Sequence, residues 1–189
     1  MRSVAAAIAL LIAASAGGTA VAGKSRGCGS AGRTVIEGSA ARVYEQSSHV
    51  YACWLGHNRR VRLDMADSRW RLANVKGRFT AVAFDRADAP AVLVWTKLGE
   101  RAAPRVVYTF PDAGANPPAE QLYVSPRGAV AFSTSTSIGY VAPPRGAGPP
   151  AFSELDSGSA LWADSLWAYD EGHRLYWRND GVRKSAPWR

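Results

Sequence analysis

The chain has 189 residues, a formal net charge of +8 and 47% hydrophobic residues. It is too short for two large domains and too apolar to be an intrinsically disordered polyelectrolyte. Lysine is scarce (Lys24, Lys76, Lys97 and Lys184), so arginine carries most of the positive charge. A basic surface raises encounter rates with anionic polymers such as nucleic acid, acidic glycans or phosphate-bearing wall polymers, without selecting among them.

Taken in chain order, Met1, Arg2 and Ser3 precede an apolar run over residues 4–16 that only Ser15 interrupts. That run is well short of the ~20 residues a helix needs to cross a bilayer. Ala20-Val21-Ala22 before Gly23 has the small-x-small pattern of a cleavage site, so residues 1–22 are predicted to be a secretory signal peptide. The expected product is a secreted protein, extracellular or periplasmic, with no membrane span after cleavage. Lys24 and Arg26 stand just before Cys28, which argues against a lipidated cysteine.

Residues 23–40 read as a Gly-, Ser- and Arg-containing lead-in, and residues 41–189 as a single β-repeat domain. Cys28 and Cys53 are the two cysteines. In an oxidising compartment an even pair is normally bridged, so a Cys28–Cys53 disulfide is predicted to tie the lead-in to the first hairpin. No Cys-x-x-Cys or Cys-x-x-His spacing supports a metal site instead.

From residue 41 onward, short apolar-aromatic runs alternate with turn residues. Val43-Tyr44, residues 50–55 and residues 60–63 are predicted strands, with turns at 46–48 and 56–58. Arg60 and Arg62 alternate with Val61 and Leu63, as in a half-buried strand. Residues 70–72 read as a linking strand into a second unit with strands at 80–84, 92–95 and 105–110. A third unit has strands at 121–124, 129–132 and 138–141, with Pro126-Arg127-Gly128 as a strong turn signal. Residues 152–155 read as a link to a fourth unit over 166–187, where Asp180-Gly181 is a hairpin turn. No long helix is expected; residues 157–167 are the best candidate and show no sustained apolar stripe.

The first turns of the four units fall near residues 47, 87, 127 and 172, a spacing of about 40 to 45 residues, as expected of propeller blades. With the export signal and the repeated aromatic hairpins, SPRGAVAF at 125–132 and RLYWRNDG at 174–181 resemble the secreted bacterial β-propeller-like repeat proteins. The resemblance implies an all-β fold, a small or partial β-propeller of about four antiparallel meander blades, and carries no activity with it. A β-sandwich is the alternative, and a second copy or a partner completing the ring is a further possibility.

Candidate chemistry is sparse. His49, His57 and His173 fall at or near turns and favour solvent-exposed roles, although two meeting at one end of a propeller would serve a hydrolase or lyase. Asp170 and Glu171 are adjacent and so face opposite ways on a strand. Asp156 with Asp164, or Asp64 with Asp67, lack the dense oxygen pattern of a calcium loop. Residues 133–137 place five hydroxyls in a row, best read as a strand running into a loop. No nucleophile elbow or phosphate-cradling loop occurs, so no catalytic, metal-binding or cofactor-binding residue is predicted.

The densest basic patch is Arg59, Arg60, Arg62, Arg69 and Arg71 around Trp70, and Arg60, Arg62, Arg69, Trp70 and Arg71 are the candidate ligand-binding residues. Interleaved arginine and aromatic side chains stack on nucleic acids or acidic glycans; outward charges also protect an exposed strand edge from pairing. Of seven tryptophans, most are expected to pack between units, with Trp188 the most exposed. The expected function is a binding or interaction module for an anionic polymer, glycan or protein. A propeller-type hydrolase or lyase, and a structural remnant completed by a partner, are the alternatives.

Overall fold

In the computed structural model, residues 27–111, 119–146, 148, 150–169 and 173–188 are described. The predicted signal peptide at 1–22 and the Asp170-Glu171 pair lie outside them. The described chain is all-β: fifteen strands and a single 3-10 turn at Leu55–His57.

The strands form four antiparallel sheets in sequence order. The first holds β1 (Arg33–Glu37), β2 (Ala41–Gln46), β3 (His49–Trp54) and β4 (Arg59–Arg62). The second holds β5 (Ser68–Lys76), β6 (Phe79–Arg86), β7 (Val92–Lys97) and β8 (Arg105–Thr109). The third holds β9 (Gln121–Val124), β10 (Val130–Ser133), β11 (Ser137–Val141) and β12 (Phe152–Ser157). The fourth has three strands, β13 (Leu161–Tyr169), β14 (Arg174–Asn179) and β15 (Val182–Pro187).

Three predicted boundaries change. The supposed lead-in contributes β1, which pairs with β2 through Arg33–Glu45 and Glu37–Arg42. The supposed links at 70–72 and 152–155 are full members of sheets, β5 pairing with β6 and β12 with β11. The helix candidate at 157–167 runs into β13.

Alternation along the central strands shows how the sheets stack. On β6, Ala81 and Ala83 join the core shared with the third sheet, whereas Val82 and Phe84 join the core shared with the first. On β10, Val130 and Phe132 face the second sheet and Ala131 the fourth. Because side chains alternate across a strand, each middle sheet is covered on both faces. The end sheets are packed against a neighbour on one face only.

Within the stack β1 packs on β5, β5 on β9, and β9 on β13, so the opening strand of each sheet lies beside that of the next. None of the close strand-to-strand packings joins the fourth sheet to the first, and the sheets do not close into a ring.

Local geometry follows the turn residues. Ser47 and Ser48 (φ 51° and 64°) close the β2–β3 hairpin, and Asp180 and Gly181 (φ 52° and 71°) close β14–β15. Positive φ at both central positions is what a two-residue hairpin requires. Gly128 (φ 88°) closes the β9–β10 turn, where its carbonyl accepts a hydrogen bond from Nε1 of Trp95 at 2.9 Å. Cys28 and Cys53 are joined as a disulfide with Cα atoms 5.7 Å apart. Trp188, expected to be exposed, is only 2% exposed and packs in the core between third and fourth sheets. Its amide extends the β15 pairing to His173, and it shares the inward parity of Ala186.

Candidate functional site

The sequence-predicted basic patch does not form one surface. Arg60 and Arg62 lie on β4, the outer edge strand of the first sheet, opposite Cys53 and Tyr51. Arg69, Trp70 and Arg71 lie on β5, which packs against β1 and β2 at the other side of that sheet. The two groups therefore belong to different sheets.

Most of these side chains already have partners. Arg62 pairs with Asp64 at 2.9 Å, and Arg71 with Asp85 at 2.9 Å. Trp70 is half-buried between the first two sheets, its Nε1 3.4 Å from Glu45 and its ring under Arg33. Glu45 is held below its ordinary pKa chiefly by the hydrogen bond from Arg33. Burial alone would raise the pKa of Asp64. The hydrogen bonds from Arg62, His49 and the Val50 amide together outweigh that and keep the carboxyl ionised below its ordinary range.

The opposite end of the stack is different. On the fourth sheet, Leu175 and Trp177 point into the core, so Arg174, Tyr176 and Arg178 point outward. Register places Trp167 and Ser185 beside Tyr176, and Trp162 and Arg183 beside Arg178. Trp167 stacks on Tyr176 with centroids 5.6 Å apart, and Tyr169 meets Tyr176 edge-on at 6.5 Å. The Arg183 guanidinium lies 4.6 Å from the Tyr176 ring centroid and 5.3 Å from that of Trp167, and Arg178 lies 5.7 Å from that of Trp162. Trp162 is 50% and Tyr169 65% exposed.

Among the described residues, none of Arg174, Arg178 and Arg183 pairs with a carboxylate. Arg174 donates instead to Oγ of Ser185 at 2.7 Å. An arginine lying over a ring is held in place by the π face and keeps its N–H edge for an anion. The outer face of the fourth sheet therefore combines fixed cations with exposed aromatic area.

The strand sequence RLYWRN carried the signal for this surface, since Arg174, Tyr176 and Arg178 alternate with Leu175 and Trp177. Local charge density concealed it, because the arginines come from different strands and meet only through pairing.

The three histidines do not converge. His49 and His57 flank opposite ends of β3, about 17 Å apart along an extended strand. His49 is bound to Asp64 at 3.0 Å, and His57 lies against the Trp54 ring. His173 precedes β14 in the fourth sheet. Three of the hydroxyls at 133–137 are engaged internally: Ser133 Oγ donates to Ala163 O at 2.5 Å, and Thr134 Oγ1 accepts from the Ser137 amide at 2.9 Å and lies 2.9 Å from Ser137 Oγ. Asp156 accepts from Trp177, Asn179 and Lys184. Among the described residues no three His, Cys, Asp or Glu side chains are grouped as metal ligands.

Comparison with protein-family models, curated proteins and solved structures finds no match to this chain.

Proposed function

We propose that this chain is an exported binding module for an acidic glycan, with the outer face of the fourth sheet as the contact surface. The observation that carries the reading is the placement of Arg178 and Arg183 over Trp162, Trp167 and Tyr176, with no carboxylate partner among the described residues. Sugar rings stack on aromatic faces, while the carboxylates or sulfates of an acidic chain meet guanidinium N–H groups. The Cys28–Cys53 disulfide fits an oxidising compartment and supports export.

The architecture we infer is an open arc of four propeller-like blades. Support comes from the opening strands β1, β5, β9 and β13, which pack in succession as axial strands do. Closing the ring by setting the first sheet of a second copy against the fourth would oppose Arg60 and Arg62 to Arg178 and Arg183. Like charges in apposition disfavour that closure.

The test is retention of the purified protein on immobilised uronate-rich or sulfated polysaccharide, compared with single-stranded DNA and a neutral glucan. Retention on the acidic polysaccharide should fall steeply with salt, as expected where ion pairs dominate. An Arg178→Ala, Arg183→Ala double variant should elute at lower salt, with no loss of folded signal. No retention by the parent protein, or tighter retention on DNA, overturns the glycan reading.

A further inference from the structure

At the other end of the stack, residues 27–32 fold back across the outer face of the first sheet. The disulfide holds this segment, and so does Arg42, which donates hydrogen bonds to the carbonyls of Cys28, Gly29, Ala31 and Gly32. The approach is close: a Cβ on Gly32 would fall 2.2 Å from the Glu45 carbonyl oxygen. Between the segment and the sheet is a half-open cavity of about 490 Å³, within the range of small-molecule sites.

The chemistry left in its walls is that of a donor. Asn58 Oδ1 is taken by the Cys28 amide and Gln46 Oε1 by Arg60, so each side chain offers a ligand its NH2 group. Ser30 adds a hydroxyl, and no carboxylate lines the cavity. Arg60 is the cation there. Its guanidinium is 5.1 Å from the Tyr51 ring centroid and 3.3 Å from the Gln46 side-chain oxygen.

Arg60 is thus held from two sides, by the face of the Tyr51 ring and by the Gln46 side-chain oxygen.

We propose that this cavity binds a small sugar carrying an oxyanion, a uronic acid or a sugar phosphate, with Arg60 on the anion and the amides of Gln46 and Asn58 on ring hydroxyls. Tyr51 is a positioning residue for Arg60. The volume exceeds what a bare anion fills, and donors spread over three elements match a polyhydroxylated ligand better than a single charge. The inference is independent of the fourth-sheet surface.

Isothermal titration of the disulfide-bonded protein with D-glucuronate, glucose 6-phosphate, glucose and inorganic phosphate tests it. At least one anionic sugar should bind, and glucose should not. Arg60→Gln should weaken binding by about tenfold or more, the loss expected for a charge-assisted hydrogen bond. Tyr51→Leu should weaken it without loss of the folded signal, and Tyr51→Phe should restore it, which a structural role would not do. The Arg178→Ala, Arg183→Ala variant should bind as the parent does. Absence of heat with both anionic sugars, equal affinity for inorganic phosphate, unchanged affinity in Arg60→Gln, or loss of binding in the fourth-sheet variant would each overturn the proposal.

Discussion

Nε1 of Trp177 donates a hydrogen bond to Oδ2 of Asp156 at 2.6 Å, joining the last strand of the third sheet to the middle strand of the fourth. The same carboxylate accepts from Nδ2 of Asn179 at 2.9 Å and pairs with Lys184 Nζ at 3.0 Å. One side chain on β12 thus gathers three donors from β14 and β15. Asp156→Ala should lower stability by about 2–3 kcal/mol, because it leaves the Trp177 indole N–H without a partner. Chemical denaturation measures this; a loss within experimental error would mean that water replaces the carboxylate.

The pH dependence of stability has a definite sign. Burial opposes ionisation of both Asp156 and Asp64, but their hydrogen bonds outweigh it and lower both folded-state pKa values. Such groups contribute stability above the unfolded carboxyl pKa of about 3.9, and that contribution disappears as pH falls through the folded value. Melting temperature should therefore be flat near neutrality and drop below about pH 4. An Asp64→Asn, Asp156→Asn variant should show a shallower acid limb; an equally steep one would assign acid sensitivity elsewhere.

Gly128 is needed twice over. Its φ of 88° is strained for any side chain, and a Cβ there would sit 2.7 Å from the Phe79 ring. Gly128→Ala should destabilise by about 1–3 kcal/mol and disturb the Trp95 indole that bonds to its carbonyl. Near-ultraviolet circular dichroism would report the change, and an unaltered spectrum with full stability would refute it.

The β2–β3 turn offers the opposite experiment. Ser47 and Ser48 both adopt left-handed backbone angles without being glycine. Ser48→Gly should raise stability by up to about 1 kcal/mol, since Gly adopts this conformation without the steric penalty. A decrease would show that the Ser48 side chain contributes a contact outweighing its strain.

Reducing the disulfide, or replacing both cysteines by serine, should remove about 3 kcal/mol by the loop-entropy estimate for a separation of 25 residues. Denaturation with and without reductant measures the difference.

The disulfide, the all-β character and the central hairpins were legible in the sequence because they rest on short-range chemistry. Alternation marks β4, and Pro126 with Gly128 marks the β9–β10 turn. The strands read as links were harder: β5 and β12 mix exposed and half-buried residues, without the apolar run of β6 or β7. Phase was misread for the same reason. The turn at 47 joins the second and third strands of its sheet, as does that near 87, whereas that at 127 joins first and second. The four sheets open on β1, β5, β9 and β13, which begin at residues 33, 68, 121 and 161, at unequal intervals. The arginine-aromatic face of the fourth sheet was only partly legible, in the alternation of RLYWRN, because Arg178 and Arg183 meet through pairing across a hairpin.

Each middle sheet is sealed by a neighbour above and below, whereas each terminal sheet leans on one. In a linear array of this kind, opening propagates inward from the ends, because an outer layer peels away by breaking a single interface. The Asp156 clasp fastens the fourth sheet to the third, whereas the Cys28–Cys53 disulfide ties the opening segment to the first sheet alone, so the two ends are secured unequally. Amide hydrogens of β6, β7 and β10 would accordingly be the last to exchange with solvent.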